Sequence, residues 1–155
     1  MKHKSINDKS VVCEIQPIYK NKTKAKDRLE VKSSQKTYEI LLPYFEEMMD
    51  YKELFFVMYL NRNNQLLAIQ KISEGGCSAT ICDGKIIFQG ALLANAQAII
   101  LAHNHPSGNL KPSDTDKSLT EKMCLFGGYI DLPVIDHMIL TSEGYFSFAE
   151  KGLIH

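Results

Sequence analysis

His103 and His105 stand two residues apart at the end of the apolar run Ala98-Ile99-Ile100-Leu101-Ala102, and Asp116 follows shortly after them. Side chains two apart on an extended segment point to the same side, so both imidazoles can face one point while Asn104 turns away. Pro106, Gly108 and Pro112 define a rigid turn that brings the chain back. The helix expected from Ser113 then carries Asp116 in its first turn. Two imidazoles and one carboxylate make a three-ligand zinc site with a fourth position open, which is the catalytic rather than the structural arrangement. Water on such an ion falls in pKa from about 15.7 to about 7, so hydrolysis is the reaction class expected. A proton acceptor is also needed, and a glutamate suits because desolvation raises its pKa towards neutrality. Spacing alone does not choose among Glu39, Glu46, Glu47, Glu53 and Glu74.

Each of these residues also has a simpler reading. Ser113-x-x-Asp116 at a helix start has the shape of a capping box, with an acidic group where the helix dipole favours it. A hydroxyl has two acceptor sites and one donor, so Ser113 can cap the helix and still have a proton to donate. For Asp116 capping and metal binding are expected to compete, and the neighbouring His-x-His and prolines favour the metal. His3 and His155 read as terminal surface residues. His137 follows Asp136 in an expected strand, where alternation sends the two side chains to opposite faces. It is left outside the catalytic set, with support of the zinc site from behind as the role open to it. Cys13, Cys77, Cys82 and Cys124 show no zinc-finger spacing and read as core or incidental thiols. Gly75-Gly76 lacks the following Lys-Ser/Thr of a phosphate cradle.

The elements that must position these residues are visible as changes of period. Val11 to Tyr19 has strand character, with Pro17 placing it at an edge, and Lys20 to Arg28 reads as an exposed basic loop. From Tyr38, apolar residues at 38, 41, 42, 45, 48 and 49 form a helical stripe, which Pro43 should kink or delay. Leu54-Phe55-Phe56-Val57-Met58-Tyr59-Leu60, the turn-like Asn61-Arg62-Asn63-Asn64, and Leu66 to Ile72 read as strand, turn and strand. A helix is expected between Lys85 and Ala96, then the buried strand 98–102 with the histidines directly after it. A further helix from Ser113 to Phe126 should stop at Gly127-Gly128, and Val134 to Thr141 with Tyr145 to Phe148 should close a hairpin. The fold class expected is α/β, a mixed sheet flanked by helices.

Composition bounds the rest. The chain of 155 residues, 45% apolar and 23% charged, has the profile of one globular domain that needs no staples. No stretch reaches bilayer length and the N-terminus has no apolar leader core, so a cytoplasmic protein without a membrane span is expected. The net charge of zero hides a split: residues 1–36 hold ten Lys/Arg against four Asp/Glu, and the remainder holds eight against fourteen. Residues 1–32 are therefore read as a basic arm with an edge strand, and 33–155 as the domain proper.

His103-x-His105, seven residues, then Ser113-x-x-Asp116 is the signature of the JAMM metallopeptidases, and His-Asn-His-Pro-Ser-Gly with Pro-Ser-x-x-Asp specifically resembles the RadC family. The resemblance runs from about Thr37 to Leu153, taking in Asn61, Gly75, Ala91-Leu92 and Asp136-His137, and covers the catalytic domain without the N-terminal helix-hairpin-helix module of full-length members. It implies the MPN/JAB, cytidine-deaminase-like architecture, one zinc per chain, and a peptidase or isopeptidase acting on a peptide or protein. In the family a glutamate directly before the first core strand activates the water, and Glu53 holds that position here. The family's serine donates to the oxyanion, a role that falls to Ser113. RadC proteins are commonly labelled DNA repair proteins. Two other readings follow: a nucleic-acid module whose basic arm binds phosphate, with binding that weakens steeply with salt, and a non-catalytic interaction scaffold.

Overall fold

A computed structural model describes residues 23–75 and 82–154. The strand expected over Val11–Tyr19 lies outside the described residues. The remaining order agrees with the sequence reading: α1 Ser34–Phe45, β1 Leu54–Leu60, β2 Leu66–Glu74, α2 Gly84–Leu93, β3 Ala98–Asn104, α3 Asp114–Tyr129, β4 Val134–Thr141 and β5 Gly144–Ser147. The strands form one mixed sheet in the order β2-β1-β3-β4-β5. β1 runs antiparallel to both β2 and β3, β3 parallel to β4, and β5 antiparallel to β4. The parallel pair needs a crossover, and α3 supplies it.

Every residue of β1 and β3 is buried, which is why both read as unbroken apolar runs. Their even-numbered residues, Phe56, Met58, Leu60, Ile100 and Ala102, pack with Leu41 and Phe45 of α1 on one face. Their odd-numbered residues, Phe55, Val57, Tyr59, Ile99 and Leu101, pack with Ile87 and Phe88 of α2 and Met123 of α3 on the other. This parity decides the site: His103 belongs to the α3 face and Asn104 to the α1 face.

Three expectations about the elements need correction. α1 begins at Ser34 rather than Tyr38, because Ser33 caps it by accepting from the Lys36 amide at 3.1 Å. Its first turn is polar, so apolar periodicity does not reveal it. Pro43 lies in the last turn, where its missing N–H leaves only the carbonyl of exposed Glu39 unpaired within the helix. β3 extends to Asn104, so His103 sits inside the strand rather than after it.

Finally, α3 runs through Gly127-Gly128 to Tyr129. The helix ends instead where Asp131 takes φ 53° and the Leu132 amide returns to the Gly127 carbonyl at 2.9 Å. Gly127 serves close packing, since a Cβ there would come 2.4 Å from the Leu132 carbonyl oxygen, whereas one on Gly128 would meet nothing within 4 Å. The two glycines should therefore respond oppositely to alanine. Gly127→Ala is expected to destabilise by about 1–3 kcal/mol through overpacking against backbone. Gly128→Ala should stabilise by up to about 1 kcal/mol through helix propensity. Urea unfolding of the two variants checks both signs.

Candidate metal centre

The α3 face of the sheet brings His103, His105 and Asp116 together, with one potential ligand atom from each within 4.8 Å of the others. β3 carries His103, antiparallel to Phe55 of β1. His105 lies one residue beyond the strand, but its amide still donates to the Leu140 carbonyl of β4 at 3.0 Å, which keeps it in phase with His103. The chain then reverses. The Gly108 amide bonds the His105 carbonyl, and Gly108 takes φ 74°, a left-handed turn that glycine accepts without strain. Buried Pro112 and exposed Ser113 deliver the start of α3 to the histidines.

Hydrogen-bond polarity fixes which ring nitrogens face inward. His105 Nδ1 lies 2.6 Å from the Asn109 carbonyl oxygen, which can only accept, so Nδ1 carries the proton. Behind His103 runs a chain of three bonds. Thr120 Oγ1 donates its one proton to the Asp116 carbonyl at 2.6 Å, and therefore accepts from His137 Nδ1, also at 2.6 Å. His137 Nε2 is then the acceptor for His103 Nδ1–H at 2.9 Å. Burial pushes the His137 pKa well below its ordinary value, with the neighbouring His103 adding to the effect, which keeps this ring neutral as the chain of bonds requires. Phe148 stacks on His137 and Phe55 on His103, with ring centroids 4.9 and 5.9 Å apart.

Both candidate ligand histidines therefore present Nε2 lone pairs. These lie 3.0 Å from each other, and 3.3 and 3.6 Å from the Asp116 oxygens Oδ1 and Oδ2. Ligands at about 2.0–2.1 Å from a tetrahedral zinc lie about 3.3 Å from one another, so the spacing fits such an ion. Two imidazole lone pairs and a carboxylate this close repel unless a cation sits among them. A proton is one such cation. Accordingly the pKa of His105 is raised, chiefly by its interaction with Asp116. Burial acts to raise the Asp116 pKa, but the contacts with His103 and His105 outweigh it and hold the carboxyl well below the usual range.

The capping box is present as well, and it leaves one oxygen of Asp116 outside the cap. Asp116 Oδ2 accepts from the Ser113 amide and hydroxyl, both at 2.7 Å, while Ser113 Oγ accepts from the Asp116 amide at 3.1 Å. A carboxylate has two oxygens, so Oδ2 can complete the cap while Oδ1 faces His103 Nε2. Capping thus aims the ligand. Ser113 itself is exposed at the rim.

Glu53 immediately precedes β1, in the turn beside the histidines, and its negative charge is among those that raise the His105 pKa. Glu39 is exposed and pairs with Lys36 on α1, and Glu74 pairs with Lys52 and Lys71 at the end of β2. Cys82 is a partly buried thiol whose pKa burial pushes up to about 12, in keeping with an inert role. Cys13 and Cys77 lie outside the described residues.

Thr120 escaped the sequence reading, and His137 was singled out there without its partners. Thr120 stands one helical turn after Asp116, and His137 shares the inward parity of β4, yet neither fact alone reveals the bonds they make. Asp136 does part from His137, as alternation requires. Its carboxylate accepts from the His137 and Ala149 amides and from Ser147 and Ser34, tying β4, β5 and α1 together. Metal-ligating histidines lose affinity when the group holding their second nitrogen is removed. His137→Phe keeps the ring stack but deprives His103 Nδ1–H of its acceptor. Zinc affinity, measured by competition with a chromogenic chelator, should fall about 10–100-fold; unchanged affinity would show that His137 does not support the site.

Comparison with known proteins accords with this geometry. The RadC-like JAB domain profile matches residues 31–153. A UPF0758 protein of Flavobacterium johnsoniae is 37% identical over 133 residues, covering 84% of this chain and 57% of that protein. The UPF0758 proteins YfjY and YeeS of Escherichia coli are 41% and 42% identical over 103 residues, 66% of this chain in each case and 64% and 70% of theirs. The chain thus spans little more than half the length of some relatives. No helix among the described residues is long and apolar enough to cross a membrane. With the profile covering most of the chain and the His-His-Asp group in place, the chain belongs to the RadC-like JAB domain family.

Proposed function

We propose that the protein is a zinc-dependent hydrolase of the JAMM type that cleaves peptide or isopeptide bonds. The observation that carries this reading is the convergence of two Nε2 lone pairs and the two oxygens of one carboxylate at separations of 3.0 to 3.6 Å, with both imidazole tautomers set by bonds on their far nitrogens. His103, His105 and Asp116 would hold the zinc. Bound there, it would supply Lewis acidity, making water acidic enough to act as a nucleophile near neutral pH and polarising a carbonyl.

The remaining work falls to Glu53 and Ser113. Glu53, beside His105, takes the proton released as water attacks the carbonyl carbon and passes it to the leaving amine nitrogen as the C–N bond breaks. Ser113 turns its hydroxyl from Asp116 Oδ2 towards the developing oxyanion, and its exposure at the rim leaves room for that rotation. The Ser113 amide still holds Asp116 Oδ2 at 2.7 Å when the hydroxyl leaves, so the ligand stays aimed.

The natural substrate is proposed only as a class, a peptide or protein. The nucleic-acid reading depends on the basic arm, of which only the part from residue 23 is described. There a short 3-10 turn, Ala25–Asp27, accepts from Gln65 at the edge of the sheet. The decisive substitution is Glu53→Gln, assayed on a peptide library with the zinc-loaded protein. Zinc content should be unchanged and turnover should fall at least about 100-fold, the lower range of a general base's contribution. Turnover equal to wild type would remove Glu53 from this role.

A further inference from the structure

Asn104, between the two histidine ligands, is completely buried on the α1 face, opposite the metal centre. All its side-chain bonds go to one short piece of backbone. Oδ1 accepts from the Leu54 amide at 2.7 Å, and Nδ2 donates to the Met49 and Lys52 carbonyls at 2.7 and 2.9 Å. The Lys52 carbonyl belongs to the peptide group before Glu53, and the Leu54 amide to the one after it. One side chain thus grips both peptide groups that flank Glu53. The Glu53 carbonyl is held separately, by the Gly75 amide at 2.9 Å.

We propose that Asn104 is a positioning residue that fixes Glu53 relative to the metal ligands. This rests on the role for Glu53 given above. The chemistry demands an asparagine: one acceptor meets an N–H and two donors meet carbonyls. An aspartate would turn an acceptor towards those carbonyls, and a leucine would leave three buried backbone groups unpaired. Because Asn104 follows His103 directly and precedes His105, any movement of the ligand strand carries the Glu53 turn with it. The β1–β3 pairing from Phe55 to Leu60 is independent of these bonds, so loss of Asn104 loosens the turn while the sheet remains.

A double-mutant cycle separates this role from a merely structural one. The probe is acetohydroxamic acid, a zinc chelator that shares a proton with a carboxylate placed beside the ion. Its affinity is measured by calorimetry on the zinc-loaded full chain in four forms: wild type, Asn104→Ala, Glu53→Gln and the double variant. Asn104→Ser replaces the alanine variant if that one fails to fold. Each single change should weaken binding about tenfold, the loss of one charge-assisted hydrogen bond, and the double variant should bind no worse than Glu53→Gln alone. Full additivity, or no effect of Asn104 in either background, would overturn the proposal. If Glu53→Gln alone binds the probe as tightly as wild type, the reading of Glu53 itself fails and this inference falls with it.

Discussion

Two imidazole lone pairs and a carboxylate converge within 3.0 to 3.6 Å, an arrangement that repels itself unless a cation occupies it. The rest of the centre exists to hold that arrangement against the repulsion. The Asn109 carbonyl and the His137–Thr120 chain each commit an Nδ1 proton on the far side of a ligand ring. The capping box commits one oxygen of Asp116 and leaves the other free to point inward. None of these bonds touches the central point, yet together they leave the ligands few ways to turn aside.

The same logic explains why the sheet is built as it is. β3 is the central strand, buried on both faces, and successive residues at its end serve opposite layers. His103 faces α3, which returns Asp116 and Thr120 to it, whereas Asn104 faces α1 and the turn that bears Glu53. A one-residue slip of β3 against β1 would exchange these faces and separate the ligands. The paired register Phe55–His103 to Leu60–Ala98, closed on the other side by the parallel pairing with β4, prevents it. Asp136 reinforces that closure by taking four donors, from β4, β5, the chain just after β5 and α1, with a single buried carboxylate.

What was legible in the sequence is what period and residue type encode locally. The unbroken apolar runs gave away β1 and β3, and His-x-His on an extended segment implied two inward rings. The Ser-x-x-Asp spacing marked the start of α3. The exceptions were contacts between distant segments: His137 meets Thr120 across a strand and a helix, and Gly127 meets Leu132 around a helix end. The polar first turn of α1 was missed because capping by Ser33, not apolar period, begins that helix. The competition expected for Asp116 treats a carboxylate as one atom, whereas its oxygens are placed differently, Oδ2 in the cap and Oδ1 towards His103 Nε2.

The central claim is that these residues form a zinc site. It is tested most directly by the metal content of the purified protein, determined by elemental mass spectrometry for wild type, His103→Ala and Asp116→Ala. About one zinc per chain is expected in wild type, as a single three-ligand site requires, and its loss from both variants. A well-folded wild type that carries no zinc and refuses added zinc would contradict it.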